Sequence, residues 1–164
     1  MKQFIALYFL FLVILFVFFY APTSVVSETI NQAQTRLTLY ALALFLEPKQ
    51  LEGIDIWINP HYKIIISQAC NGSIPILFLW ASILAYPSEW RYKIVWMLFG
   101  YVVFFVVNIV RILVVVHVTQ EGAGKEEFHW SHDIVGNTLL MITGLILFIS
   151  FIRSSRTKFK NFES

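Results

Sequence analysis

Four long apolar stretches divide the chain, each bounded by polar or turn-forming residues: Phe4–Ala21, Gly72–Pro87, Tyr92–Val118 and Asp133–Ile152. Crossing a bilayer as a helix takes roughly 20 mostly apolar residues, so each stretch is expected to span. The second is short and borrows a turn at either end. The third would run about 40 Å at the helical rise, so it tilts or projects beyond the membrane. The polar intervals are not all plain loop. Ser27–Leu46 puts Ile30, Leu37, Tyr40, Ala41 and Leu44 on one helical face, which predicts a helix lying on the outer interface or dipping into it. Ile54–Ile58 and Tyr62–Ile66 flank Asn59-Pro60, the pattern of a small β-hairpin leading to Cys70. The expected fold class is an all-α polytopic membrane protein. It has four transmembrane helices, an outer interfacial helix and a small β-hairpin, in one domain over residues 1–164.

Composition agrees with that pattern. The chain is 58% hydrophobic and 13% charged, with a mean hydropathy of +0.71. A soluble domain of this size has no interior large enough to hide so much apolar surface. The first span resembles a signal peptide, with Lys2 ahead of it and Val25-Val26-Ser27 as a weak cleavage site. Its apolar run to Tyr20 is longer than the usual core of roughly 7–15 residues, so it reads as an uncleaved anchor.

Charge sets the expected orientation. Lys2, Arg91, Lys93, Arg153, Arg156, Lys158 and Lys160 crowd short flanks on one side. Arg36, Lys49, Lys63 and Lys125 are spread over much longer segments on the other. The first side is therefore expected in the cytoplasm with both termini, in the cell (inner or plasma) membrane. Thr23–Asn71 and Thr119–His132 then face outward, and the basic tail after Ile152 frays. The basic residues read as a membrane flank, which gives nucleic-acid binding no support.

Within the third span, Asn108 and Arg111 are the strongly polar residues of the run from Phe104 to Val116. An arginine near the centre of a membrane helix costs roughly 2.5–3.5 kcal/mol on insertion scales, so it usually marks a site. Arg111 lies about seven residues inside the outer end, roughly 10 Å of helix, part of which its side chain recovers by snorkelling. Cys70 immediately precedes the second span and His132 the fourth, so three chemically competent side chains on three helices meet the outer boundary at one level.

Each has a plainer reading beside the chemical one. Cys70, in Ala69-Cys-Asn-Gly-Ser-Ile-Pro75, is either a buried thiol or a nucleophile favoured by the helix dipole. Ser73 is expected to cap that helix, Pro75 fits its first turn, and Gly72 lets another backbone come close. Arg111 and Asn108 share a helix face. They are either an interhelical tie or an oxyanion-stabilising fork with its support. A cysteine nucleophile needs a proton partner near neutral pH, and histidine is the usual one. His132 and His129 compete for that role; His132 is nearer the span and four residues before Gly136, where helices can approach. His61 and His117 look incidental. With one cysteine, no intrachain disulfide can form.

Ala69-Cys70-Asn-Gly72, Asn108-Ile-Val-Arg111 and His132-Asp-Ile-Val-Gly136 together resemble the exosortase/archaeosortase family. The link Ala85–Arg91 is similar to the family's connection between the same spans. The resemblance covers a core of roughly residues 54–152 and looks like a compact exosortase subtype. It implies a membrane-embedded cysteine protease and transpeptidase with Cys70, Arg111 and His132 as catalytic residues, supported by Asn108, Gly72 and Gly136. It implies as partners exported proteins whose C-terminal sorting signal comprises a short motif, a transmembrane helix and a basic tail. Besides the lipid bilayer, the remaining partner is an acceptor of unknown identity. No metal or other cofactor is implied.

The main rival reading is a non-catalytic membrane scaffold subunit with a structural Arg111. A metal site built from His129, His132, Asp133 and Glu126 needs its ligands held on one rigid face, and the chain has no His-Glu-x-x-His pattern. Haem ligation by His117 and His132 has similarly little in its favour.

Overall fold

The computed structural model describes residues 2–22, 24–59, 62–66, 68–121 and 136–160, and is mostly helical. Helix α1, Lys2–Phe19, is followed by α2, Val25–Leu42. A short helical turn, Pro48–Gln50, leads into strands β1, Leu51–Glu52, β2, Asp55–Asn59, and β3, Tyr62–Ile65. A second turn, Gln68–Asn71, leads into α3, Ser73–Ala85. Then come α4, Trp90–Glu121, and α5, Asn137–Lys160.

Helices α1, α4 and α5 are long and apolar enough to cross a membrane. α3 is apolar but has 13 residues, about 20 Å of helix against a hydrocarbon core of about 30 Å. Its short length goes with a central place. α1 packs on it through Leu15, Leu77 and Ala81. α4 and α5 close its other side through Ile76, Leu79, Ile83, Phe104, Leu140, Leu147 and Phe151. Ala81 and Ile83 are fully buried. The Trp80 indole donates to the Met97 carbonyl at 3.1 Å, which pins α3 to α4.

The bundle has two unlike ends. Tyr86, Tyr92, Trp96, Phe148 and Phe151 form an aromatic cluster at one, with ring centroids 5.5–6.3 Å apart. Arg91, Lys93 and Arg153 adjoin that cluster in sequence. Lys93 Nζ donates to the Leu84 carbonyl at 2.8 Å, capping the last turn of α3. α5 continues past Ile152 with Ser155 buried, so the basic tail is helical to Lys160 rather than frayed from Ile152. Cations in the last turns of a helix suit its dipole.

The other end carries the sheet, of order β1-β2-β3 and antiparallel throughout. Ile56 pairs with Ile64, and both point inward with Ile66. That face rests on Ile109, Ile112, Val115 and Val116 of α4 and on Leu42 of α2. The excess length of α4 therefore backs the sheet.

α2 departs from the usual amphipathic arrangement. Its buried residues are Ser27, Gln34, Thr35, Thr38 and Leu42, a mostly polar stripe turned toward the protein. Of the predicted apolar stripe, Ile30, Leu37 and Tyr40 are exposed on the helix, Ala41 packs partly buried against the core, and Leu44 is exposed beyond the helix end. The helix starts at Ser24, whose hydroxyl accepts from the Ser27 amide at 3.3 Å.

Candidate functional site

Cys70 sits in the turn Gln68–Asn71, ahead of Gly72 and the first turn of α3. Gly72 is the N-cap at φ 69°, in the left-handed region that glycine occupies without strain. Ser73 was expected to cap this helix. It is instead the first helical residue, and the cap makes no side-chain hydrogen bond. A glycine at the left-handed corner places the turn before α3 so that serine enters the helix. Pro75 lies in the first turn, as expected.

Gly72 is small for a second reason. A Cβ there would lie 3.3 Å from Cγ of Asn108, so α4 approaches α3 through this position. Asn108 is 1% exposed and acts in two directions. Its Nδ2 donates to the Cys70 carbonyl oxygen at 2.8 Å, and its Oδ1 accepts from Arg111 at 3.3 Å. One side chain thus ties the backbone of Cys70 to the guanidinium.

Arg111 is 3% exposed, enclosed by the protein where polar side chains meet it. Asn108 accepts from one terminal nitrogen, and Asn137 Oδ1 accepts from the other at 3.3 Å. Gly136 makes room for the approach: a Cβ on it would fall 2.5 Å from Arg111 Nε and 3.2 Å from Cδ. The close helix approach expected at Gly136 is filled by this arginine.

Cys70 and Arg111 line one small cleft, about 310 Å³ of empty space including its mouth. Ile64 of β3, Ile66 just beyond it, and Ile112, Val115 and Val116 of α4 form its other walls. The thiol is half-buried, with Sγ 3.9 Å from the Ile65 carbonyl oxygen, within reach of a weak S–H donor. A thiol and a permanent cation sharing an apolar-walled cleft can together engage a polarised carbonyl. Low-dielectric walls strengthen a charge's effect on such a centre.

His132, His129, Asp133 and Glu126 lie outside the described residues, as do Pro60 and His61 of the predicted turn. His117 is exposed on α4 and does not line the cleft. Among the described residues, no three His, Cys, Asp or Glu side chains cluster as metal ligands would.

Asn71 was missed from sequence. It is 1% exposed, its Nδ2 donates to Asn31 Oδ1 at 2.7 Å and Thr35 Oγ1 at 2.8 Å, and its carbonyl accepts from Gln34 at 2.6 Å. The signal was available: Ser27, Asn31, Gln34, Thr35 and Thr38 recur at helical spacing, a small polar stripe as regular as the apolar one. Asn137, which follows Gly136 directly, was missed as well.

Long apolar helices around a short central one, with a thiol and a guanidinium at one end, define a multi-pass membrane protein with a polar site at the mouth of its bundle. The match to the transmembrane exosortase family (Exosortase_EpsH) covers residues 1–149, and the chain belongs to that family of membrane proteins of protein sorting. The match takes in α1 and α2, ahead of the core that carries the motifs. Neither a curated protein nor a solved structure matches the chain.

Proposed function

We propose that the chain is a cysteine protease and transpeptidase that cleaves the C-terminal sorting signal of exported proteins and passes them to an acceptor. The observation that carries this reading is that Cys70 and Arg111 line one cleft and are joined through Asn108. In this reading α3 is the second of four spans, the sheet end faces outward and both termini are cytoplasmic. The basic residues beside the aromatic end support that orientation.

The Cys70 thiolate attacks a substrate backbone carbonyl just outside the substrate's membrane helix. A C–S bond forms, and the carbonyl electrons move onto oxygen, where Arg111 stabilises the negative charge. His132, or its neighbour His129, takes the thiol proton and returns it to the departing amine as the C–N bond breaks. The acceptor nucleophile or water then attacks the thioester, loses its proton to the histidine and regenerates the thiol. Asn108 holds Arg111 and the Cys70 backbone in register. Gly72 and Gly136 keep clear the two approaches on which that register depends.

A scaffold reading draws on one observation: Arg111 joins α4 to α5 by bonding Asn108 and Asn137, as a structural arginine would. Processing of exported proteins bearing a basic-ended C-terminal helix separates the two. At matched abundance, Cys70→Ala abolishes tail cleavage if the chain is the protease and leaves it unchanged if the chain is a scaffold.

A further inference from the structure

The polar seam between α2 and the turn before α3 has no part in the chemistry above, yet it converges on the residue next to Cys70. Two consecutive carbonyls are held by side-chain amides from different helices. Asn108 of α4 donates to that of Cys70 at 2.8 Å, and Gln34 of α2 donates to that of Asn71 at 2.6 Å. The Asn71 side chain is gripped a second time from α2, by Asn31 and Thr35. One turn back, Gln68 donates to the Tyr20 carbonyl and to the Ser27 hydroxyl, each at 3.3 Å.

Burying a side-chain amide is costly unless its hydrogen bonds are remade. Apolar packing would dock a helix on a turn without that cost. Hydrogen bonds add direction, because they fix the orientation of successive peptide planes as well as their distance. The two held planes lie on either side of Asn71, and the first of them also leaves Cys70, so together they fix the backbone from which the Cys70 side chain projects.

We propose that α2 is the positioning element of the nucleophile: Asn31, Gln34 and Thr35 lock Asn71 and so hold the Cys70 side chain in the cleft beside Arg111. Asn71 is a positioning residue, acting through its neighbour. The functional consequence rests on the transpeptidase reading, whereas the clamp itself is read from the thiol.

Cys70 is the sole cysteine, so thiol labelling of the full chain reports it alone. The full-length protein, reconstituted in phospholipid nanodiscs, is labelled with iodoacetamide and, separately, with a polyethylene-glycol maleimide. The ratio of bulky to small reagent rates is the readout, and a cleft-held thiol keeps it low. The double variant Asn31→Ala/Thr35→Val is expected to raise the ratio at least fivefold, while Thr35→Ser, which keeps the hydroxyl, stays within twofold of wild type. A ratio within twofold of wild type in the double variant, at an unchanged melting temperature, overturns the proposal. If the double variant does not fold, Gln34→Met is judged by the same thresholds. A raised ratio, in a protein whose Cys70→Ala variant still processes substrate, upholds the clamp and removes the transpeptidase reading.

Discussion

Arg111 passes so close to Gly136 that one methyl group decides where the guanidinium lies. Gly136→Ala puts a carbon 2.5 Å from Nε, so the side chain must move. We expect substrate processing to fall at least tenfold in this variant, with a melting temperature near wild type, because the displaced group is a side chain and not backbone. Arg111→Lys keeps the charge and loses the planar fork that reaches Asn108 and Asn137 together. Processing should drop by about 100-fold, the scale of losing one oxyanion donor. A lysine variant as active as wild type would show that charge alone suffices. At this scale the sequence was partly legible. The spacing of Asn108 and Arg111 gave a shared face, and the structure adds a bond between them. Asn137 was hidden because periodicity along one helix reports a face, never the partner from another helix that meets it; for Asn71 the polar stripe of α2 was the available signal.

α2 is a three-sided helix, and its sides differ in character. Asn31, Gln34, Thr35 and Thr38 face the protein, and Ile30, Leu37 and Tyr40 form an exposed apolar stripe. Glu28, Gln32 and Arg36 occupy the remaining exposed edge. That division suits a helix seated at a membrane surface, with lipid on one side and water on another. Leu37→Lys should therefore lower melting temperature and abundance in lipid, whereas Gln32→Lys leaves both near wild type. Equal tolerance of the two would show that the apolar stripe does not touch lipid. The apolar pattern revealed this helix from sequence because that stripe is regular. The protein-facing side was missed because burial is ordinarily sought among apolar residues, and here the buried stripe is polar.

For the whole molecule, hydropathy placed the long apolar helices among the described residues, and α3, with 13 residues, is shorter than they are. Its length in the structure goes with enclosure by three neighbours, which composition does not encode. The two unlike ends also give the orientation a direct check. In a Cys70→Ala background, Lys49→Cys should react with a membrane-impermeant thiol reagent in intact cells, and Ser154→Cys only after permeabilisation. The reverse pattern would invert the assignment of the sheet end to the outside. Everything functional in this account then hangs on the thiol at that end. The most direct test is the mass of the purified protein after incubation with an exported substrate carrying a basic-ended C-terminal helix. The account predicts a hydroxylamine-labile adduct on Cys70 equal in mass to the cleaved substrate less one water, lost together with cleavage in Cys70→Ala. Cleavage that continues in Cys70→Ala would contradict it.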